Sequence, residues 1–196
     1  NEVYFTDENG QAKTVKADYI IATDGAFSAI RLRMQKTNRF DFSQDYQDYG
    51  YKELEITPEE GGAFKMEKNA LHIWPRGNYM MIALPNPDGS YTCTLFMPFE
   101  GENSFGSLKT DEQIMEFLAH NFADSIPLMP NVLEDYKANP VGSLVTVRCN
   151  PWVRGNFALM GDSAHAVVPF YGQGMNCAFE DAAVLDDLIG KHYPNW

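Results

Sequence analysis

Positive charge is scarce in this chain of 196 residues: 15 lysines and arginines stand against 27 aspartates and glutamates, for a formal net charge of −12. That balance argues against nucleic acid and anionic membrane surfaces as main partners. Cysteine is rarer still. Cys93, Cys149 and Cys177 are odd in number and widely spaced, with no CxxC. A disulfide framework and a zinc site are therefore disfavoured, and a reducing, cytoplasmic compartment is the expectation. No apolar run approaches the roughly 18 residues of a membrane span, and no secretory signal is visible. GxGxxG is absent, so the chain holds no complete dinucleotide-binding strand–turn–helix of that type. There are no internal repeats or low-complexity tracts. What is present suits a folded protein of one or two domains: 44% apolar residues, with 13 Phe and 10 Tyr, enough to bury a core.

Both ends fall inside a pattern. Asn1 is not an initiator Met, and Trp196 follows shortly after a predicted helix. An excised segment of a longer protein is the expectation, with a processed natural N-terminus as the alternative.

Residues 2–6 and 12–16 alternate as a hairpin about Glu8-Asn9-Gly10. Ala17 to Ala22 reads as a buried strand, and Phe27 to Met34 as a helix start. The middle changes character. Gly50 to Ile56, Leu71 to Trp74, Tyr79 to Leu84 and Tyr91 to Phe96 read as strands of an antiparallel sheet. Asp111 to Phe122 is a helix that Thr110 can cap, with Ile114, Phe117 and Leu118 on one face. A short helix is expected near Val132 to Tyr136 and a strand at Leu144 to Val147. From about Trp152 the pattern is α/β again: a strand at Asn156 to Met160, then a helix from Gly174 to Ile189 with Ala178, Ala182, Leu185 and Ile189 at helical spacing. The organisation predicted is a β-rich domain at 36–145, flanked by two parts, 1–35 and 146–196, of another domain.

The stretch ALMGDSAHAVVPFYGQGMNCAFED, residues 158–181, carries the most chemistry. It reads as an apolar strand, a Gly-Asp turn, a Pro-aromatic loop and a glycine pair opening a helix. That order sets a carboxylate and a helix N-terminus at one end of a sheet, where α/β folds bind nucleotide cofactors. Upstream, Asp24-Gly25 follows a strand in ATDGAFSAIR. An Asp there can accept from ribose hydroxyls or backbone amides, and a Gly beside it permits close approach; a plain β-turn is the alternative. Ser28 and Arg31 can contact phosphate or fix the loop. Asp162 can bind a hydroxyl or merely cap a helix. His165 has no second His or carboxylate at ligand spacing and reads as a packing or hydrogen-bonding residue, so no metal is expected. In the middle sheet Leu71, Ile73, Met80, Ile82, Leu84 and Phe96 alternate, so they share faces. They are an apolar wall for a flat ring or an ordinary sandwich core. Arg76 reads as a turn residue rather than a carboxylate binder.

Asp24-Gly25 with Ser28 and Arg31, matching D-G-x-x-S-x-x-R, and Gly161-Asp162 together resemble the signatures of the FAD-dependent (class A) aromatic hydroxylases. The wider wording, LHIWPR at 71–76, MMIALPN at 80–86, CTLFMPFE at 93–100 and PFYGQGMN at 169–176, is similar to the members that act on L-kynurenine. The resemblance implies an α/β (α+β) fold of the para-hydroxybenzoate-hydroxylase type: part of a Rossmann-like FAD-binding domain with an inserted antiparallel β-sheet substrate domain. It implies FAD, NADPH and O2, and hydroxylation of L-kynurenine ortho to its amino group through a flavin C4a-hydroperoxide. Cofactor contacts are implied for Asp24, Gly25, Ser28, Arg31, Gly161, Asp162, Pro169, Gly172, Gly174, Met175 and Asn176. Asp162 would bond a ribityl hydroxyl, and the amides near Met175 and Asn176 would face the flavin N1–C2=O edge. Substrate contacts are implied for Leu71, Ile73, Met80, Ile82, Leu84 and Phe96, with Phe170, Tyr171 and Gln173. No side chain is assigned as nucleophile, acid–base catalyst or metal ligand. The chain departs from the family in lacking GxGxxG and the C-terminal helical region. The family's substrate-gripping arginine and tyrosine belong to the missing part. A hydroxylase of the same fold acting on another aromatic, and an inactive structural fragment, are the alternatives.

Overall fold

The structure, a computed structural model, describes residues 2–193. It divides into two compact units, one of Asn1–Tyr46 with Val145–Trp196 and one of Gln47–Leu144. The chain passes between them within two strands, β4 (Asp41–Ile56) and β8 (Gly142–Asn150).

The first unit opens on a hairpin, β1 (Glu2–Thr6) and β2 (Ala12–Lys16), in register from Glu2↔Lys16 to Thr6↔Ala12. The turn forms because Asp7 Oδ1 accepts from the amides of Asn9 and Gln11, at 3.0 and 2.9 Å, while Gly10 takes φ +77°. Next comes β3 (Ile20–Ala22), shorter than the expected 17–22, and Ile21 is exposed rather than buried. Helix α1 (Ala29–Met34) follows. After the second unit the chain returns with β9 (Val153–Arg154), β10 (Phe157–Leu159), the short α4 (Asp162–His165) and α5 (Gly174–His192). β10 lies between β3, its parallel neighbour, and β9, its antiparallel one. A small core of Ala22, Met34, Leu159 and Ala164 seals this layer.

The second unit is built on β5 (His72–Arg76), β6 (Tyr79–Pro85) and β7 (Tyr91–Pro98), in a five-stranded sheet of order β5-β6-β7-β4-β8. Met81, Ala83, Cys93, Leu95, Met97, Leu54 and Ile56 form the core with residues of α2 (Asp111–Asn121) and α3 (Val132–Ala138). Ile114, Phe117 and Leu118 of α2 are all buried there, the face its spacing predicts. Lys52 on β4 is buried as well; its Nζ donates to the carbonyls of Tyr136 and Asn139 at 2.7 and 2.6 Å, closing the C-terminal end of α3. That desolvation lowers its pKa. Burial pushes the Cys93 thiol up to about 12, so it stays protonated and inert. Among the described residues no helix is long and apolar enough to cross a membrane.

Thr110 and Gln113 cap α2 reciprocally: Thr110 Oγ1 accepts from the Gln113 amide at 3.3 Å, and Gln113 Oε1 accepts from the Thr110 amide at 3.1 Å. Thr110→Ala is expected to cost about 1 kcal/mol in urea unfolding of the chain. A loss below a few tenths would mean that the box contributes nothing to α2.

Candidate functional site

The parallel pairing of β3 with β10, Ile20↔Phe157, Ile21↔Ala158 and Ala22↔Leu159, brings the carboxyl ends of two distant segments side by side. Thr23-Asp24-Gly25 leaves one strand and Met160-Gly161-Asp162 leaves the other. Ser163 joins them. Its Oγ stands 2.6 Å from the Ala22 carbonyl oxygen, and its own carbonyl accepts from Arg31 Nη1 at 2.8 Å. The Met160 amide donates to the Ala22 carbonyl at 3.0 Å.

The two aspartates at this corner differ sharply. Asp24 is fully engaged by its own loop: Oδ1 accepts from Ser28 Oγ at 2.5 Å, and Oδ2 from the amides of Ala29 and Ile30 at 2.8 and 3.3 Å. It sits on the N-terminal amides of α1, with Ser28 as N-cap. Ser28 and Arg31 are each only 2% exposed. Arg31 is held by the Ser163 and Ala26 carbonyls, and its guanidinium lies 4.9 Å from the Phe42 ring centroid. The expectation that Ser28 and Arg31 contact a cofactor is therefore corrected: both are sealed inside the loop they fix. Desolvation lowers the Arg31 pKa, and the Asp24 charge opposes that shift.

Asp162 has no hydrogen-bond partner among the described residues, and it lines a cavity of about 350 Å³. The other walls are Thr23, Gly25, Met160, Gly161, Gly174, Met175 and Ala178. A Cβ placed on Gly25 would meet no atom within 4 Å, and one on Gly174 would reach only Asp162 Oδ1, at 4.0 Å. The glycines thus keep the walls low where a bound group needs room. Gly174 begins α5, and no side chain caps that helix, so its first amides are free to stabilise negative charge. An uncommitted carboxylate, low glycine walls and an uncapped helix N-terminus suit a polyhydroxylated cofactor with an anionic edge, and FAD fits that description.

Gly25, Gly161, Asp162, Gly174 and Met175 of the expected cofactor set come together here. Pro169, Gly172 and Asn176 are not among the lining residues. Pro169 starts a short 3-10 turn through Tyr171, Gly172 ends it at φ +62°, and the Asn176 side chain donates to Gln173 Oε1 at 3.0 Å. Sequence reasoning missed Thr23, Met160 and Ala178. Ala178 was legible, since it stands one turn after Gly174 on the same helix face. It also missed Asp181, which holds the Gly161 amide and His165 Nε2, each at 2.7 Å. The expected inward set on α5 was Ala178, Ala182, Leu185 and Ile189; Ala182 is exposed, and Asp181 takes the half-buried position instead.

In the second unit five of the six apolar residues of the expected substrate wall, Ile73, Met80, Ile82, Leu84 and Phe96, share a face, and Leu71 precedes β5. Ile73 pairs with Ile82, and Met80 pairs with Phe96. It is the face opposite the one packed on α2 and α3. Ile82 and Phe96 are buried, while Leu71, Ile73 and Leu84 stay open at 39%, 49% and 43% exposure. The ordinary core is built by the alternate parity, Met81, Ala83, Cys93 and Leu95. Phe170, Tyr171 and Gln173 lie in the first unit; Tyr171 is exposed, and Gln173 Nε2 donates to its carbonyl at 2.9 Å. Arg76 ends β5, where Nε donates to the Asn121 carbonyl at 2.6 Å and Nη2 bonds the Asp124 carboxylate at 2.9 and 3.0 Å. It is occupied with its own unit. Among the described residues no group of three or more His, Cys, Asp or Glu could hold a metal ion.

The fold and this corner define a flavin-nucleotide-binding α/β protein of the para-hydroxybenzoate-hydroxylase type. The chain belongs to the FAD binding domain family, which matches residues 2–195. It is 50% identical over 190 residues to kynurenine 3-monooxygenase of Flavobacterium psychrophilum, covering 96% of this chain and 42% of that protein. It is 55% identical over 174 residues to kynurenine 3-monooxygenase of Dictyostelium discoideum, covering 88% and 38%. The chain thus spans about two fifths of these relatives. Among solved structures it resembles a Klebsiella pneumoniae HpxO variant complexed with FAD, at TM-score 0.67 and 22% identity over 95% of this chain and 46% of that one. It also resembles the tetrameric form of 2-methyl-3-hydroxypyridine-5-carboxylic acid oxygenase, at TM-score 0.66 and 22% identity over 94% and 47%. These two likenesses concern the fold.

Arg31→Met is expected to lower the stability of the chain by about 1–3 kcal/mol, because buried carbonyls lose their donor. Urea unfolding measures this; unchanged stability would show that the Arg31–Ser163 link does not hold the two loops together.

Proposed function

We propose that the chain is the flavin-binding and sheet-bearing portion of a cytoplasmic monooxygenase that uses FAD, NADPH and O2 to hydroxylate L-kynurenine ortho to its amino group. The observation that carries the reading is the uncommitted Asp162 carboxylate beside the uncapped N-terminus of α5, in a chain half identical to kynurenine 3-monooxygenases. The odd number and wide spacing of Cys93, Cys149 and Cys177 fit a reducing compartment.

The redox chemistry belongs to FAD, and the protein's part is to bind, orient and exclude water. Asp162 would accept from ribityl hydroxyls. Gly25, Gly161 and Gly174 would let the backbone come close to the cofactor. The first amides of α5, at Gly174, Met175 and Asn176, would stabilise negative charge at the N1–C2=O edge. Asp24 supports the site indirectly, by fixing the loop that carries Thr23 and Gly25. The apolar strip of Leu71, Ile73, Met80, Ile82, Leu84 and Phe96 would take the flat aromatic ring of the substrate. None of these residues needs to exchange a proton with the ring.

In the full-length protein, NADPH oxidation with FAD present is expected to rise strongly on addition of L-kynurenine, with a product heavier by one oxygen. Oxidation indifferent to kynurenine would refute the substrate and point to another aromatic on the same fold. No oxidation with any aromatic would leave a structural role only. Asp162→Ala is expected to weaken FAD binding by about 1–3 kcal/mol, the scale of a lost hydrogen bond to a charged group. Unchanged FAD affinity would sink the role given to Asp162.

A further inference from the structure

We propose that Asp181 is a positioning residue for the flavin site: it fixes the Gly161-Asp162 corner against α5 and so aims the Asp162 carboxylate. The proposal rests on the reading of the corner as the FAD site.

Gly161 sits at φ +59° and ψ −143°, a combination that residues with side chains rarely adopt. Glycine reaches that region without strain, and its hydrogen bonds select this one conformation among the many open to it. Here the Gly161 carbonyl accepts from the amides of Ala164 and His165, at 2.8 and 3.0 Å, within α4. The Gly161 amide donates out of the loop to Asp181 Oδ2 at 2.7 Å. The same oxygen takes His165 Nε2 at 2.7 Å, and the His165 ring packs on Trp152 at 4.9 Å between centroids. The side chains of Asp181 and His165 are only 17% and 21% exposed, so solvent competes weakly for these bonds.

Asp181 stands two turns beyond Gly174 on α5, on the face that carries Gly174 and Ala178 to the cavity wall. One carboxylate therefore ties together both jaws of that cavity, the Gly161 corner and the N-terminal half of α5. A Cβ on Gly161 would lie 3.2 Å from the Ala178 Cβ, so the jaws already touch. Asp162, one residue on, has no partner of its own and depends on this backbone for its direction.

A double-mutant cycle in the full-length protein tests the proposal, with FAD affinity read by flavin fluorescence for Asp162→Ala, Asp181→Ala, the pair, and Asp181→Asn. Asp181→Ala is expected to weaken FAD by about tenfold. Asp181→Asn keeps an oxygen for the Gly161 amide and should stay within about threefold of wild type. The pair should be no more than about threefold weaker than Asp162→Ala alone, because Asp181 then has no carboxylate left to aim. Losses that multiply in the pair, wild-type affinity in Asp181→Ala, or equal damage from Asn and Ala would overturn the positioning role. Wild-type affinity in Asp162→Ala would overturn the flavin site itself, an outcome read from a different variant.

Discussion

Three pairs of residues hold this site in being. Ile20, Ile21 and Ala22 lie parallel to Phe157, Ala158 and Leu159, and the two strands end together. Every cavity-lining residue then follows directly from a strand end or from the first turns of α5. Parallel pairing of segments so distant in sequence is costly in chain entropy. It is stabilised by the small apolar core of Ala22, Met34, Leu159 and Ala164, and by Arg31 and Ser163, which bond across 132 residues of sequence. The intervening unit has a core of its own.

The division of labour between Asp24 and Asp162 follows from what comes after each. Asp24 is followed by a loop that turns its helix back onto the carboxylate, so three donors consume it. Asp162 is itself the first residue of a four-residue helix that runs away from its side chain. The two look alike as strand-ending acids next to glycine, yet one is structural and the other remains available. The same logic separates the two parities of the middle sheet. One parity meets α2 and α3 and becomes core; the other is left as an apolar strip.

Much of this was legible in the sequence. The hairpin at residues 2–16, the capped helix after Thr110 and the strands of the middle sheet were written in turn residues, cap residues and alternation, all local signals. Gly161, Asp162 and Gly174 were legible as a motif. What failed was non-local. Whether Ser28 and Arg31 face a ligand or the interior depends on Ser163, far along the chain, and no local pattern reports that. Strand length also misled: the run of small and β-branched residues reads as one strand over 17–22, whereas the register with β10 covers Ile20–Ala22. Asp181 carries no local signal, because its partner, the Gly161 amide, lies 20 residues earlier in a backbone turn that sequence does not display.

The most direct test of the account is the structure of the full-length protein with FAD bound. An Asp162 carboxylate oxygen is expected within about 3.2 Å of a ribityl hydroxyl. Asp24 should still accept from Ser28 and Ala29, and the first amides of α5 should face the flavin. An Asp162 side chain turned away from the cofactor, with Asp24 released from its loop to bind it instead, would contradict the account.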